Sequence, residues 1–157
     1  MGHSPITVDW LDKVTDDIDL RKSHANTLTD QLVHRAHWLE NKDRDLIIAT
    51  FRDGQSANLI AHRLAQDPRH IRRRIKRLVH RLNDPRVAYV VEHSEAWTRS
   101  KRAIAQSLFI QGRSIREVTE SLGVSFYSVR KHREAINAMS QANAQANSRS
   151  SKLRAWR

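Results

Sequence analysis

Residues 67–82 constrain the fold of this chain more than any other stretch. They read DPRHIRRRIKRLVHRL, and within them apolar residues recur at helical spacing, namely Ile71, Ile75, Leu78 and Leu82. Asp67 is a suitable N-cap, and Pro68 fits the first helical position because no amide donor is needed there. The pattern predicts an amphipathic helix whose apolar stripe packs against a core.

The same predicted helix is strongly basic. No acidic residue follows Asp67 within it, and its Lys and Arg side chains are Arg69, Arg72, Arg73, Arg74, Lys76, Arg77 and Arg81. Because charges of one sign repel one another unless a polyanion is present, the pattern favours contact with nucleic acid. The alternative is a solvated charged face.

The composition supports an acidic partner. The 157 residues carry a formal net charge of +11 at pH 7, and the pI is about 11.0. Such values are typical of proteins that bind nucleic acid, anionic membranes or acidic proteins. There is no cysteine, which excludes disulfides, thiolate metal ligands and cysteine nucleophiles. No apolar run approaches the ~20 residues of a membrane span. We therefore expect a cytoplasmic, nucleoid-associated protein without a membrane partner or a cofactor.

Residues 1–40 predict an acidic helical segment. Apolar residues within 1–20 follow a helical period, and we expect either a packing helix with solvated acids or an acidic screen over the basic face. Thr27 to Leu39 predicts a second helix. His34 and His37 lie one turn apart on it, but no third ligand supports a metal site. The acids within 1–20 are Asp9, Asp12, Asp16, Asp17 and Asp19.

Residues 41–83 predict a helix-turn-helix. A helix from Lys42 to Phe51 is followed by Asp53-Gly54, a helix-stop signal. Ser56 is a suitable N-cap for a short helix through Leu64. A short turn then leads to the basic helix, which would be the recognition helix.

Residues 84–100 predict a linking helix. Asp84 and Pro85 restart the chain as cap and first helical residue. The β-branched run within 86–93 is equally compatible with a strand, but a lone strand has no partner here, which favours a helix. Another helix is expected from Ala96 to Gln111, where Gly112 ends it.

An internal repeat indicates a second helix-turn-helix in residues 101–140. A shift of 58 residues (112 minus 54) superimposes apolar anchors, caps and turn residues without a gap. The matched pairs are Phe51 with Phe109, Gly54 with Gly112, Ser56 with Ser114, Ile60 with Val118, Leu64 with Leu122, Ala65 with Gly123, Asp67 with Ser125, Ile71 with Val129 and Leu78 with Ile136.

Residues 141–157 predict a basic, disordered tail. We expect the preceding helix to end near Ala146, after which Ser and Arg dominate the composition. The tail could lie on phosphates or dock through Leu153 and Trp156. Residues 135–146 are a plausible pairing surface for a homodimer.

Two known families resemble these motifs. The first motif resembles the fourth region of bacterial sigma factors; its sequence is RDLIIATFRDGQSANLIAHRLAQDPRHIRRRIKRL. The second motif resembles the DNA-binding domain of LuxR-type regulators; its sequence is GRSIREVTESLGVSFYSVRKHREAI. The resemblance implies binding of double-stranded DNA. Residues 1–40 are too few for the promoter-melting helices of a sigma factor, so we expect a regulator rather than a complete sigma factor.

Both the resemblance and helix geometry identify candidate DNA contacts. The start of a recognition helix enters the major groove, where Arg binds guanine and apolar groups touch the thymine methyl. Capping serines at the preceding helix can also bind phosphate. In the first unit, Ser56 is the candidate capping serine, and the candidates for contact with bases are Arg69, His70, Arg72, Arg73 and Lys76. Arg74, Arg77 and Arg81 are expected to contact phosphates. In the second they are Ser114, Ser125, Phe126, Tyr127, Ser128, Arg130 and Lys131.

The sequence as a whole predicts an all-α helical bundle that contains two helix-turn-helix units. The expected function is that of a sequence-specific transcriptional regulator that reads the major groove with two recognition helices. One alternative is a sigma-like adaptor that binds RNA polymerase or another regulator, and another is a nonspecific nucleic-acid binder. Catalytic motifs are not evident, so we do not expect an enzyme.

Overall fold

The computed structural model describes the backbone of residues 25–155 and the side chains of 28–151. The predicted acidic helix within 1–20 lies outside the described residues, as does Trp156. The described part is helical and holds no β-strand, which confirms the all-α prediction. The chain divides into two compact units, and the boundary along the sequence falls between Asn83 and Asp84. The predicted linking helix therefore belongs to the second unit.

The first unit contains four α-helices in its described part. Their bounds are α1 Ala25–Arg35, α2 Asn41–Ile47, α3 Ala57–Leu64 and α4 Pro68–Asn83. A 3-10 turn over Ala36–Trp38 follows α1, and a π turn over Ile48–Arg52 extends α2. The predicted helices are therefore present, and the basic helix begins at Pro68 as expected.

The core of the first unit is formed by residues from all four helices. Leu32 of α1, Ile47 of α2 and Ile60 of α3 are buried together with the apolar stripe of α4. That stripe is Ile71, Ile75, Leu78 and Leu82, as its spacing predicted. Each fully buried Leu or Ile contributes roughly 1.5–3 kcal/mol to folding, so this stripe fixes which face of α4 turns outward.

The part of the second unit that the structure describes, up to residue 155, also contains four α-helices. Their bounds are α5 Pro85–His93, α6 Arg99–Ala105, α7 Ile115–Leu122 and α8 Phe126–Ala155. The stretch that was equally compatible with a strand is helical. The cause is local, since the Asp84 side chain accepts a hydrogen bond from Arg86 N at 2.9 Å and Pro85 occupies the first turn.

Helix α8 is longer than the sequence predicted. It continues to Ala155, where we expected a disordered tail after Ala146. No strongly helix-breaking residue interrupts it, because neither Gly nor Pro occurs after Gly123. The expected pairing surface at 135–146 is also partly closed, since Ile136 and Ser140 are buried in the described structure.

The two units are copies of one helical pattern. When the first unit is shifted by 58 residues, the bounds of α2 coincide with those of α6, and the bounds of α3 with those of α7. The π turn at Ile48–Arg52 likewise coincides with the π turn at Gln106–Ile110. The same shift also carries the 3-10 turn at 36–38 onto that at 94–96. The repeat therefore extends upstream of the motif found in the sequence. It was missed there because its buried positions differ in identity, such as Leu32 and Val90.

The residue that follows the short helix, α3 or α7, differs between the two units. Ala65 has a left-handed φ of 51°, and its counterpart Gly123 has a φ of 62°. A side chain in this region costs about 1 kcal/mol, whereas glycine adopts it freely. We expect Ala65→Gly to stabilise the first unit by about 1 kcal/mol.

The reciprocal change, Gly123→Ala, should destabilise the second unit by a similar amount. No atom lies within 4 Å of a Cβ built at Gly123, so only backbone strain opposes the substitution. Urea unfolding of both variants measures the effects. A lower midpoint for Ala65→Gly than for the parent protein would contradict this account of the turn.

Candidate nucleic-acid interface

The outward face of α4 is a continuous basic surface, which we call the α4 basic face. Its members are exposed and come from the first three turns: Arg69, His70, Arg72, Arg73 and Arg77. The helix start is fixed by Asp67, whose Oδ1 accepts a hydrogen bond from Arg69 N at 2.6 Å. That carboxylate is thereby committed to capping, and it is the only acid in residues 67–83.

Polar side chains of α3 lie beside this face. Arg72 Nη2 donates to Asn58 Oδ1 at 3.1 Å, which joins α4 to the first turn of α3. Arg63 Nη1 donates to Gln55 Oε1 at 2.8 Å. Nothing in the sequence distinguishes Asn58, Gln55 or Arg63, because polar residues in or beside a short helix carry no signal until the neighbouring helix is placed.

Arg74 does not belong to the α4 basic face. Its Nε and Nη2 donate to Asp43 Oδ1 at 3.0 and 2.7 Å, and Asp43 lies on α2. Arg81 Nη1 lies 3.7 Å from Asp43 Oδ2, and burial lowers the pKa of Arg81 while Asp43 opposes that shift. Arg74 was predicted to contact DNA phosphates, and the structure places its side chain against Asp43, where it holds α4 to α2. Lys76 is half-buried.

Removal of Asp43 should destabilise the first unit. In Asp43→Ala, two half-buried guanidinium groups lose their carboxylate, and we expect the free energy of unfolding to fall by roughly 2 kcal/mol. Asp45→Ala is the matched control, because Asp45 is an exposed acid of the same helix. Urea unfolding gives both values, and equal midpoints for the two variants would contradict the role of Asp43.

The start of α8 occupies the corresponding place in the second unit. Ser125 caps the helix, since its Oγ accepts a hydrogen bond from Ser128 N at 3.1 Å. Phe126 and Tyr127 follow, and they are 55% and 74% exposed. Lys131 is exposed one turn later, and Ser128 is half-buried. The predicted site residues of this helix thus lie at its cap and in its first two turns, and two of them are exposed aromatic side chains.

Acidic residues make the second surface much less positive than the first. Arg130 Nε lies 2.9 Å from Glu134 Oε1, and Arg116 Nε lies 3.0 Å from Glu120 Oε1. Exposed pairs of this kind contribute at most ~1 kcal/mol, so either arginine can exchange its partner for a stronger anion. Residues 113–139 carry five Lys or Arg against three acids, whereas residues 55–81 carry eight against one.

The two capping serines differ in their electrostatic surroundings. Ser56 Oγ accepts a hydrogen bond from Leu59 N at 3.2 Å, and the first turn of α3 holds no acid. Ser114 forms a capping box with Glu117, and the hydrogen bonds from Ser114 lower the pKa of that carboxyl group. A negative charge therefore already occupies the start of α7, which makes Ser56 the better phosphate ligand.

Other kinds of site find little support in residues 28–151. This part of the chain contains no group of three His, Cys, Asp or Glu side chains that could hold a metal, and the rings of His34 and His37 lie 6.3 Å apart. None of the described helices is long and apolar enough to cross a membrane. Comparison with protein-family models, curated proteins and solved structures found no match, so function must be argued from this chain's own residues.

Proposed function

We propose that this protein is a sequence-specific transcriptional regulator that binds double-stranded DNA through two helix-turn-helix units, α3–α4 and α7–α8. The observation that carries the proposal is the α4 basic face. Five exposed basic or imidazole side chains project from one helix beside a capped short helix, without an acid among them. A polyanion relieves their mutual repulsion and releases its own counterions on binding.

The chemistry of the first unit suits the major groove. An α-helix fits the groove, and its first turns approach the base edges. Arg69 and Arg73, one turn apart on α4, can each donate two hydrogen bonds to a guanine or one to a phosphate. The Ser56 hydroxyl and the first-turn amides of α3 that it does not cap lie at a helix start, a position that favours a phosphate group.

The second unit supports the proposal through the repeat. Ser125, Ser128, Arg130 and Lys131 stand 58 residues after Asp67, His70, Arg72 and Arg73, on the same turns of the equivalent helix. Two of the basic side chains are thus kept at matching positions. Binding by both units would give one chain two half-sites.

A sigma-like adaptor that binds RNA polymerase or another regulator is the second candidate function. The exposed rings of Phe126 and Tyr127 favour it, because aromatic residues are enriched where proteins meet. In that case the α4 basic face would hold DNA while α8 holds the protein.

Selection from a random duplex library, followed by sequencing, tests the proposal. The full chain is incubated with the library at low and at high salt. We expect an enriched motif of one or two half-sites that survives at high salt, while total binding decreases steeply as salt rises. Uniform weak binding that disappears with salt would overturn sequence-specific regulation in favour of a nonspecific binder.

A further inference from the structure

The start of the recognition helix is where the two units differ most. In α4 the first two residues are Pro68 and Arg69, and in α8 they are Phe126 and Tyr127. The 58-residue shift places these pairs at the same positions of equivalent helices. A basic side chain has therefore been replaced by an aromatic ring at a position that, in the proposed function, faces the bases.

The surroundings of the two rings indicate what they bind. Exposed cations follow them about one turn along the same helix, namely Arg130 and Lys131. Neighbouring exposed apolar side chains mark binding surfaces, whereas single exposed ones are common on any protein. A ligand that matches both features presents an apolar group close to an anionic one.

Thymine-containing major groove has this combination of properties. The C5-methyl group of thymine is the only apolar group on the major-groove edge of a base pair, and phosphates line both sides of the groove. Charge complementarity with Arg130 and Lys131 favours duplex DNA over an apolar protein surface, since these cations would lose solvation there without gaining an anionic partner.

We infer that Phe126 and Tyr127 read thymine methyl groups, so that the second unit supplies base selectivity while the first supplies most of the phosphate affinity. This inference rests on the proposed DNA-binding function. It agrees with the charge contrast between the units, because the eight basic residues in 55–81 suit phosphate binding better than the partly neutralised surface of 113–139 does.

Uracil substitution tests the inference without altering the protein. A duplex recovered from the random library is prepared with thymine and again with uracil, which lacks only the methyl group. We expect the full chain to bind the uracil duplex about fourfold more weakly for each methyl contacted, as the loss of one buried methylene-sized group requires. The loss should fall on thymines of one half-site.

The double variant Phe126→Ala/Tyr127→Ala should bind both duplexes equally. It should retain the salt dependence of the parent protein, because that dependence arises mainly from the first unit. Leu122→Ala is the matched control, since Leu122 is an exposed apolar residue of the same unit, and it should keep the preference for thymine. Circular dichroism confirms that each variant is folded.

The outcomes separate the inference from the proposed function. If the parent protein enriches a motif but binds its thymine and uracil forms equally, methyl reading is overturned and sequence-specific binding stands. If the double variant still prefers thymine, the rings are not the reader, and the inference is likewise overturned. If no motif is enriched at all, the proposed function itself fails.

Discussion

Replacement of Arg69 and Arg73 by glutamate is expected to weaken binding to duplex DNA by two orders of magnitude or more. Both side chains are exposed on the α4 basic face. Loss of one arginine contact to a base or phosphate costs about 1–3 kcal/mol, and the introduced carboxylates add repulsion. Fluorescence anisotropy with a labelled duplex at fixed salt measures the change.

Lys42→Glu/Arg52→Glu is the matched control for that experiment. It makes the same change in net charge in the same unit, at exposed residues of α2 and the π turn that follows it. We expect it to reduce affinity by less than tenfold, through the long-range field alone. Equal losses in both double variants would show that binding follows total charge and that the α4 basic face has no special role.

Truncation of Ile71, the first buried residue of α4, is expected to have the largest effect on stability. Ile71 is fully buried, and Ile71→Ala should lower the free energy of unfolding of the first unit by roughly 2–5 kcal/mol, because the cavity can collapse only in part. Val129 is the equivalent fully buried residue of α8. Val129→Ala should destabilise the second unit by a smaller amount, since fewer methyl groups are removed.

Hydrogen exchange resolves the two effects, because it reports on each helix separately. Ile71→Ala should speed exchange in α4, and Val129→Ala should speed it in the first turns of α8. Leu59→Ala is the control, since Leu59 is about half exposed. If the control accelerates exchange in α4 as much as Ile71→Ala does, the assignment of Ile71 to the core is wrong.

Much of the fold could be predicted from the sequence, because it depends on local chemistry. The apolar spacing of α4 gave its buried face, and the caps at Asp67, Asp84 and Ser114 located helix starts within a residue or two. The repeat was also visible, since turn glycines and buried anchors keep their spacing even where identities differ.

The remaining features depend on partners that sequence does not reveal. Arg74 was assigned to DNA because it belongs to a basic run, but its partner, Asp43, stands 31 residues earlier on another helix. The length of α8 was underestimated because Ser and Arg dominate the residues after Ala146, a composition typical of disordered tails that nevertheless does not interrupt a helix. Whether Phe126 and Tyr127 are exposed also depended on tertiary packing.

The claim that the starts of α4 and α8 hold DNA is tested most directly by nuclear magnetic resonance. Amide and arginine side-chain signals of the full chain are followed while the selected duplex is added. We expect the largest shifts in residues 55–59 and 69–77 of the first unit and in 113–117 and 125–131 of the second. Shifts confined to α1, α2, α5 or α6, or an unchanged spectrum at saturating duplex, would contradict the account.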